Sequence, residues 1–252
     1  MFPLKDNIPT DRFPIVTVAL ILANVLAYFL FQKGGISFGD PSGQEYQCNV
    51  VEYGAIPFEF THLGDQVAFR GCPTPDAPTI LTAFTSMFMH GGLLHLGGNM
   101  LFLWIFGNNI EDSMGPVKFT LFYVLGGLAA LAAQILVSTG DAATVPTIGA
   151  SGAVAGVLGG YALLFPRARV VTVIFIVFFF TILELPALLI LGFWFLQQVL
   201  FGYFDLATPT GGGGGVAYFA HIGGFAFGLL AIKLFADDRK HRRQLERATP
   251  RR

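Results

Sequence analysis

The residues able to do chemistry in this chain sit where an apolar sequence has least room for polar groups. Three glycine-rich segments carry them: HGGLLHLGGN from His90 to Asn99, GASGAVAGVLGGY from Gly149 to Tyr161, and AHIGGFAFG from Ala220 to Gly228. They supply a hydroxyl (Ser151), imidazoles (His90, His95, His221) and a carboxamide (Asn99). A hydroxyl becomes a nucleophile only beside a base, and preorganised N–H donors can hold the negative charge that acyl transfer builds. His95 and Asn99 are four residues apart and share one helix face. Gly152, Gly156 and Gly160 repeat behind Ser151, as Gly224 and Gly228 do behind His221. Such small-residue faces let helix backbones approach closely in lipid, which would bring a short serine within reach of an imidazole. Each residue also has a plainer reading. A serine among glycines can be a packing residue, a lone histidine a hydrogen-bonded structural group, and His90 or Glu184 an interfacial one. A haem or metal site from His90, His95 and His221 is disfavoured, since five-residue spacing does not share a face and no cysteine or carboxylate lies at that depth.

The elements that must position these groups are membrane spans. Of the 252 residues 54% are hydrophobic and only 12% charged, and mean hydropathy is +0.63. A soluble domain of this size carries far more charge. The net charge of −1 gives no sign of nucleic-acid binding. Crossing the hydrocarbon core takes about 20 apolar residues. The pattern predicts six spans: Ile15–Phe31, Ile80–Phe106, Val117–Val137, Ile148–Phe165, Pro186–Phe201 and Val216–Phe235. No small-residue cleavage site follows Met1–Phe13, so the first run reads as a span rather than a signal peptide. The stretch from Ala168 to Phe201 is too long for one span and too short for two. Glu184 and Pro186 mark its break, which leaves Arg167–Leu185 at the interface or in a broken helix.

Sidedness follows from charge. With the N-terminus cytoplasmic, every basic residue of the 15 except Lys33 and Arg70 falls on the inner side, as the positive-inside rule requires. The expected organisation is a cytoplasmic N-terminus (1–14), a six-helix membrane domain (15–236) and a basic, solvated cytoplasmic tail (237–252), both ends inside. Residues 32–79 form an extracytoplasmic loop, and Gly211–Gly215 a flexible connection between spans five and six. Spans two, four and six then all run inward, and His95, Asn99, Ser151 and His221 share one level in their outer halves. No inverted repeat supports a transporter. Cys48 and Cys72 lie in the outer loop, on the side where disulfides persist, and are expected to be bonded, with two free thiols as the alternative.

These three segments, with HGGLLHLGGN extended through MLFLWIFGNNIEDSMG, resemble in order and spacing the signature segments of rhomboid intramembrane proteases. The resemblance runs from about Ile15 to Phe235. It implies an all-α, six-transmembrane-helix bundle that hydrolyses membrane-anchored proteins near the extracytoplasmic side. It implies a dyad of Ser151 as nucleophile and His221 as base and acid, with no cofactor and no metal. His95, Asn99 and the Ser151 backbone N–H would form the oxyanion hole, with Gly149 shaping the loop beside it. Glu111 and Gly115 match a corner of the family pattern where a structural role is implied. Phe193, Trp194, Phe195 and the Gly202–Gly215 loop become candidates for a lateral gate and cap, an aromatic belt being the other reading. The implied partners are transmembrane protein substrates and the lipid bilayer, and the expected location is the plasma membrane. An inert relative that binds membrane proteins without cutting them is the alternative. Two departures stand out. Well-known members carry a tyrosine four residues after the nucleophile where this chain has Ala155, and the Trp–Arg pair of their first outer loop is absent, the stretch from Ile80 reading IleLeuThrAla.

Overall fold

The computed structural model describes residues 2–36, 38, 41–176, 179–207 and 216–248; the expected Gly211–Gly215 connection lies outside them. The chain opens with strand β1 (Phe2–Asp6), then helix α1 (Ile15–Leu26), which continues as a π-helical turn through Phe31. Short helices α2 (Gln44–Tyr53), α3 (Pro57–Thr61) and α4 (Thr79–Thr85) follow. Helix α5 (Leu93–Phe102) runs through a π-helical turn into α6 (Asn108–Met114), and α7 (Pro116–Val137) and α8 (Ser151–Leu164) come next. Strands β2 (Arg169–Ile176) and β3 (Phe179–Pro186) precede α9 (Ala187–Ala207), α10 (Tyr218–Phe235) and α11 (Asp238–Ala248). Helices α7, α9 and α10 are long and apolar enough to cross a membrane; α1 with its π turn and α8 are shorter apolar helices.

Helix α8 is the axis of the molecule, buried along almost its whole length. Its glycines explain how. A Cβ on Gly224 would overlap the Gly152 carbonyl oxygen, and one on Gly228 would overlap that of Gly156. Helices α8 and α10 therefore meet backbone to backbone. On the adjoining side, Gly223 lies against Ala133 and the Ala129 carbonyl of α7.

Three expectations change. The second predicted span does not begin at Ile80: α4 and a 3-10 turn (Ser86–Phe88) end before His90, and the long helix starts only at Leu93. Gly92 stands at φ +146°, a backbone conformation open to glycine, and breaks the run there. The chain is mostly helical but not all-α. In place of a broken helix, β2 and β3 make a β-hairpin, Val170 opposite Leu185 and Val173 opposite Ile182, with β1 antiparallel along the other edge of β2. Val170, Val171, Thr172, Val173 and Ile174 are β-branched in succession, a composition that favours strand. Glu184 lies exposed on β3, and Pro186 ends the strand where α9 begins. The tail is not merely solvated: α11 docks on the bundle. Gln244 is buried and donates to the Asn109 carbonyl, His241 Nε2 donates to the Leu164 carbonyl, and Arg247 pairs with Asp11.

Side-chain caps tie the two ends. At the end away from Ser151, the Glu111 carboxylate accepts from the N–H groups of Val16 (3.0 Å) and Thr17 (2.8 Å) at the α1 N-terminus, and from the Thr17 hydroxyl. A carboxylate there satisfies orphan donors and complements the helix dipole. Nearby, Asp6 Oδ2 accepts from Asn109 Nδ2 (2.7 Å) and Tyr161 OH (2.6 Å). At the Ser151 end, Cys48 and Cys72 form a disulfide. Gln32 and the His90 main chain exchange two hydrogen bonds, and Tyr46 OH adds a third onto the His90 carbonyl. These bonds anchor the first loop in the absence of the Trp–Arg pair.

Candidate active site

Ser151 opens α8, so its side chain stands beside first-turn N–H groups that an α-helix leaves without intrahelical partners. The loop ahead of it is held from two directions. Thr147 and Ala55 exchange a pair of backbone hydrogen bonds, and Gly149 N–H donates to the Ser86 carbonyl at 2.9 Å. Gly149 has φ +123°, which disfavours any side chain, and a Cβ there would come 2.8 Å from His95 Nε2. The bare glycine lets His95 of α5 approach this loop.

Ser151 Oγ lies 2.8 Å from His221 Nε2, and His221 Nδ1 lies 2.7 Å from Oε1 of Gln198 on α9. An amide oxygen only accepts, so Nδ1 carries the imidazole proton and Nε2 keeps its lone pair; the Ser151 hydroxyl donates to it. His95 is held in the other tautomer. The Gly91 N–H donates to His95 Nδ1 at 3.2 Å, which leaves the proton on Nε2, the atom nearest Gly149. Asn99, one turn along the same face, is buried, and its Nδ2 has no hydrogen-bond partner among the described residues. A buried, unsatisfied donor typically costs about 1–3 kcal/mol, so a functional reason for it is worth seeking. A cavity of about 30 Å³ beside Ser151, lined in part by Ser86, Thr147 and Gly149, has room for a water.

Other sequence candidates separate. The His90 ring is fully buried, edge-on to the His95 ring at 5.1 Å, with neither nitrogen hydrogen-bonded among the described residues. No cluster of three metal-ligating side chains occurs among the described residues. Of the three gate candidates on α9, Phe193 faces outward. Trp194 packs near the His221 ring (centroids 5.7 Å), and Phe195 stacks on Phe225 of α10 at 4.5 Å. Residues 202–207 of the candidate cap continue α9, and residues 208–215 lie outside the described residues. Gln198 is the neighbour that sequence reasoning left without a role. Its one signal was a polar side chain in an apolar helix, and nothing in the sequence tied it to His221.

A family model described as the Rhomboid domain matches residues 77–237, well over half of the chain and all of the residues just described from His90 to His221. The chain belongs to the rhomboid family. Among its relatives is rhomboid protein 1 of Saccharomyces cerevisiae, a mitochondrial protein, 34% identical over 58% of this chain and 39% of the relative. RHOMBOID-like protein 4 of Arabidopsis thaliana is 33% identical over 57% of this chain and 31% of its own length. The human presenilin-associated rhomboid-like protein, also mitochondrial, is 29% identical over 38% of this chain and 25% of its own. The chain thus spans well under half the length of these rhomboid relatives. Rhomboid membership and its long apolar helices make it a membrane protein.

Proposed function

We propose that the protein is an intramembrane serine protease that hydrolyses peptide bonds in or next to transmembrane segments of membrane-anchored proteins. The observation that carries this reading is the 2.8 Å contact between Ser151 Oγ and His221 Nε2; with the imidazole proton on Nδ1, facing the Gln198 oxygen, Nε2 is the lone pair a general base requires. Ser151 attacks the scissile carbonyl carbon as His221 Nε2 takes its proton. The C–N bond then breaks, and the same proton passes to the departing amine. Water repeats the sequence on the acyl-enzyme and regenerates Ser151. The oxyanion would be met by the Ser151 N–H, by His95 Nε2–H and by Asn99 Nδ2, donors fixed before the substrate arrives. A substrate must present its carbonyl in extended form, since a helix hides it in backbone hydrogen bonds. Transmembrane segments with small or helix-breaking residues near the cut are therefore the substrate class.

The same reading takes the bundle as six spans with both termini cytoplasmic and α9 as the gate. The plasma membrane expected from the sequence draws no support from the relatives, two of whose names carry the word mitochondrial. The reading therefore extends to an integral membrane protein and not to a particular membrane. A fluorophosphonate probe tests it: labelling of the wild type at Ser151, lost in Ser151→Ala and His221→Ala, supports an activated serine. A folded wild-type protein that takes no label, or a Ser151→Ala protein that still cuts a transmembrane reporter, overturns it and favours an inert binder.

A further inference from the structure

His221 needs something to hold its ring, and the position where a tyrosine would do so is Ala155, whose side chain ends at a methyl group buried in the α8–α10 seam. The holding group comes from a different helix. Gln198 of α9 is 8% exposed, and its Oε1 lies 2.7 Å from His221 Nδ1.

Which end of the amide faces the ring decides everything downstream. With Oε1 toward Nδ1, the imidazole proton stays on Nδ1 and Nε2 is a lone pair for Ser151. With the amide reversed, its NH₂ would donate to Nδ1 and force the proton onto Nε2, and the Ser151 hydroxyl would face a donor. The structure supplies a reason for the productive orientation. Gln198 Nε2 reaches the Trp194 carbonyl one turn back at 3.4 Å, a long contact but with a group that can only accept. The Trp194 ring in turn lies beside the imidazole. One turn of α9 thus sets both the hydrogen bond and the wall of the base.

We propose that Gln198 is a positioning residue for His221: its side-chain oxygen holds the imidazole in the Nδ1–H tautomer, aimed at Ser151, in the place an aspartate takes in a Ser–His–Asp triad. A neutral acceptor does this without a charge, which suits a site whose surroundings are apolar. The bond also links the base to α9, so His221 is fully aligned only while that turn of α9 rests on α10.

The role rests on the protease reading for its kinetic consequences, so the test has one arm that needs no proteolysis. ¹⁵N-histidine spectra of the full chain should show His221 as the Nδ1–H tautomer, and Gln198→Met, close in shape but without the acceptor, should convert it to a mixture. In the kinetic arm, Gln198→Met should lower kcat and the rate of fluorophosphonate labelling about ten-fold, the scale of one neutral hydrogen bond, with KM within about two-fold. Gln198→Glu keeps an oxygen at the same reach and should recover most of the loss. If Gln198→Met does not fold, Gln198→Ala is measured in the same way. An unchanged tautomer in the substituted protein overturns the proposal, as do equal losses in the Met and Glu variants. Faster cleavage in both would make Gln198 a gate residue instead. A tautomer shift in a protein that takes no probe would leave the positioning role standing and the protease reading overturned.

Discussion

Helix α10 is gripped in two quite different ways. Toward α8 its closest approach is backbone on backbone: Gly224 and Gly228 rest on the carbonyls of Gly152 and Gly156. Toward α9 it meets rings and one amide, Phe195 on Phe225 and Gln198 on His221, while Leu189, Phe193, Leu196 and Leu200 of α9 face outward. Backbone contact leaves nothing to rotate, whereas aromatic contact can be broken and remade by rotamer changes. The proposed nucleophile and base ride on the tight seam, and Gln198, proposed to orient the base, rides on the loose one. The division suits a site whose reacting atoms must keep their spacing while a neighbouring helix yields to a substrate.

The largest effect should come from the dyad on the tight side. Ser151→Ala or His221→Ala should lower kcat by about 10⁴-fold or more, with insertion and melting temperature nearly unchanged. Reporter cleavage by purified protein, alongside thermal unfolding, checks both. Asn99→Ala comes next. Removing one oxyanion donor typically lowers kcat by about 10²–10³-fold. Nδ2 has no partner among the described residues, so stability should barely fall; equal losses in melting temperature and activity would make Asn99 structural. Gly224→Ala probes the seam itself. Its methyl must displace the Gly152 backbone, and overpacking of this kind costs about 1–3 kcal/mol. Probe labelling should fall with it, whereas Gly192→Ala on α9, with open space around the Cβ position, should change neither. On the loose side, Phe195→Ala should loosen α9 and speed cleavage a few-fold, and Phe193→Ala, facing outward, should leave the rate within about two-fold. The reverse order would move the gate to the outer face.

A smaller effect lies at the far end of α8. Burial raises the Asp6 carboxyl to about 6, against the hydrogen bond from Tyr161 that lowers it. The folded protein then holds a proton between about pH 4 and 6 that the unfolded chain has released. This group's contribution to stability therefore falls as pH rises through that window and is level above it, by at most about 3 kcal/mol in total. Thermal unfolding of wild type and Asp6→Asn at pH 4.5 and 7 should show a difference that the substitution reduces.

The pairing of Ser151 with His221 was legible because apolar sequence makes polar groups conspicuous, and because the glycine periods behind the two residues encode a close helix pair. The hairpin was not. A continuous run such as VVTVIFI has no polar period to separate strand from buried helix, and its β-branched density, the remaining cue, was outweighed by the expectation of spans. The docked tail was missed for a related reason. His241, Gln244 and Ala248 form one face of α11 at helical spacing, but two polar residues and an alanine do not stand out among arginines. Gln198 was visible as a polar residue without a reason. Its reason lies on another helix, 23 residues away in sequence, and no periodicity spans that gap.

The strand at the start of the chain sets a timetable for the ribosome. Asp6 waits for Tyr161, 155 residues later, and β1 waits for the backbone groups of Val170 to Val173. At roughly 5–20 residues per second the gap lasts about 8–30 seconds, long after the helices between have been made. Until then the five residues of β1 have neither a sheet to join nor a tyrosine to bind. β1 is therefore made well before its partners, and its hydrogen bonds can close only after the helices between them have been synthesised.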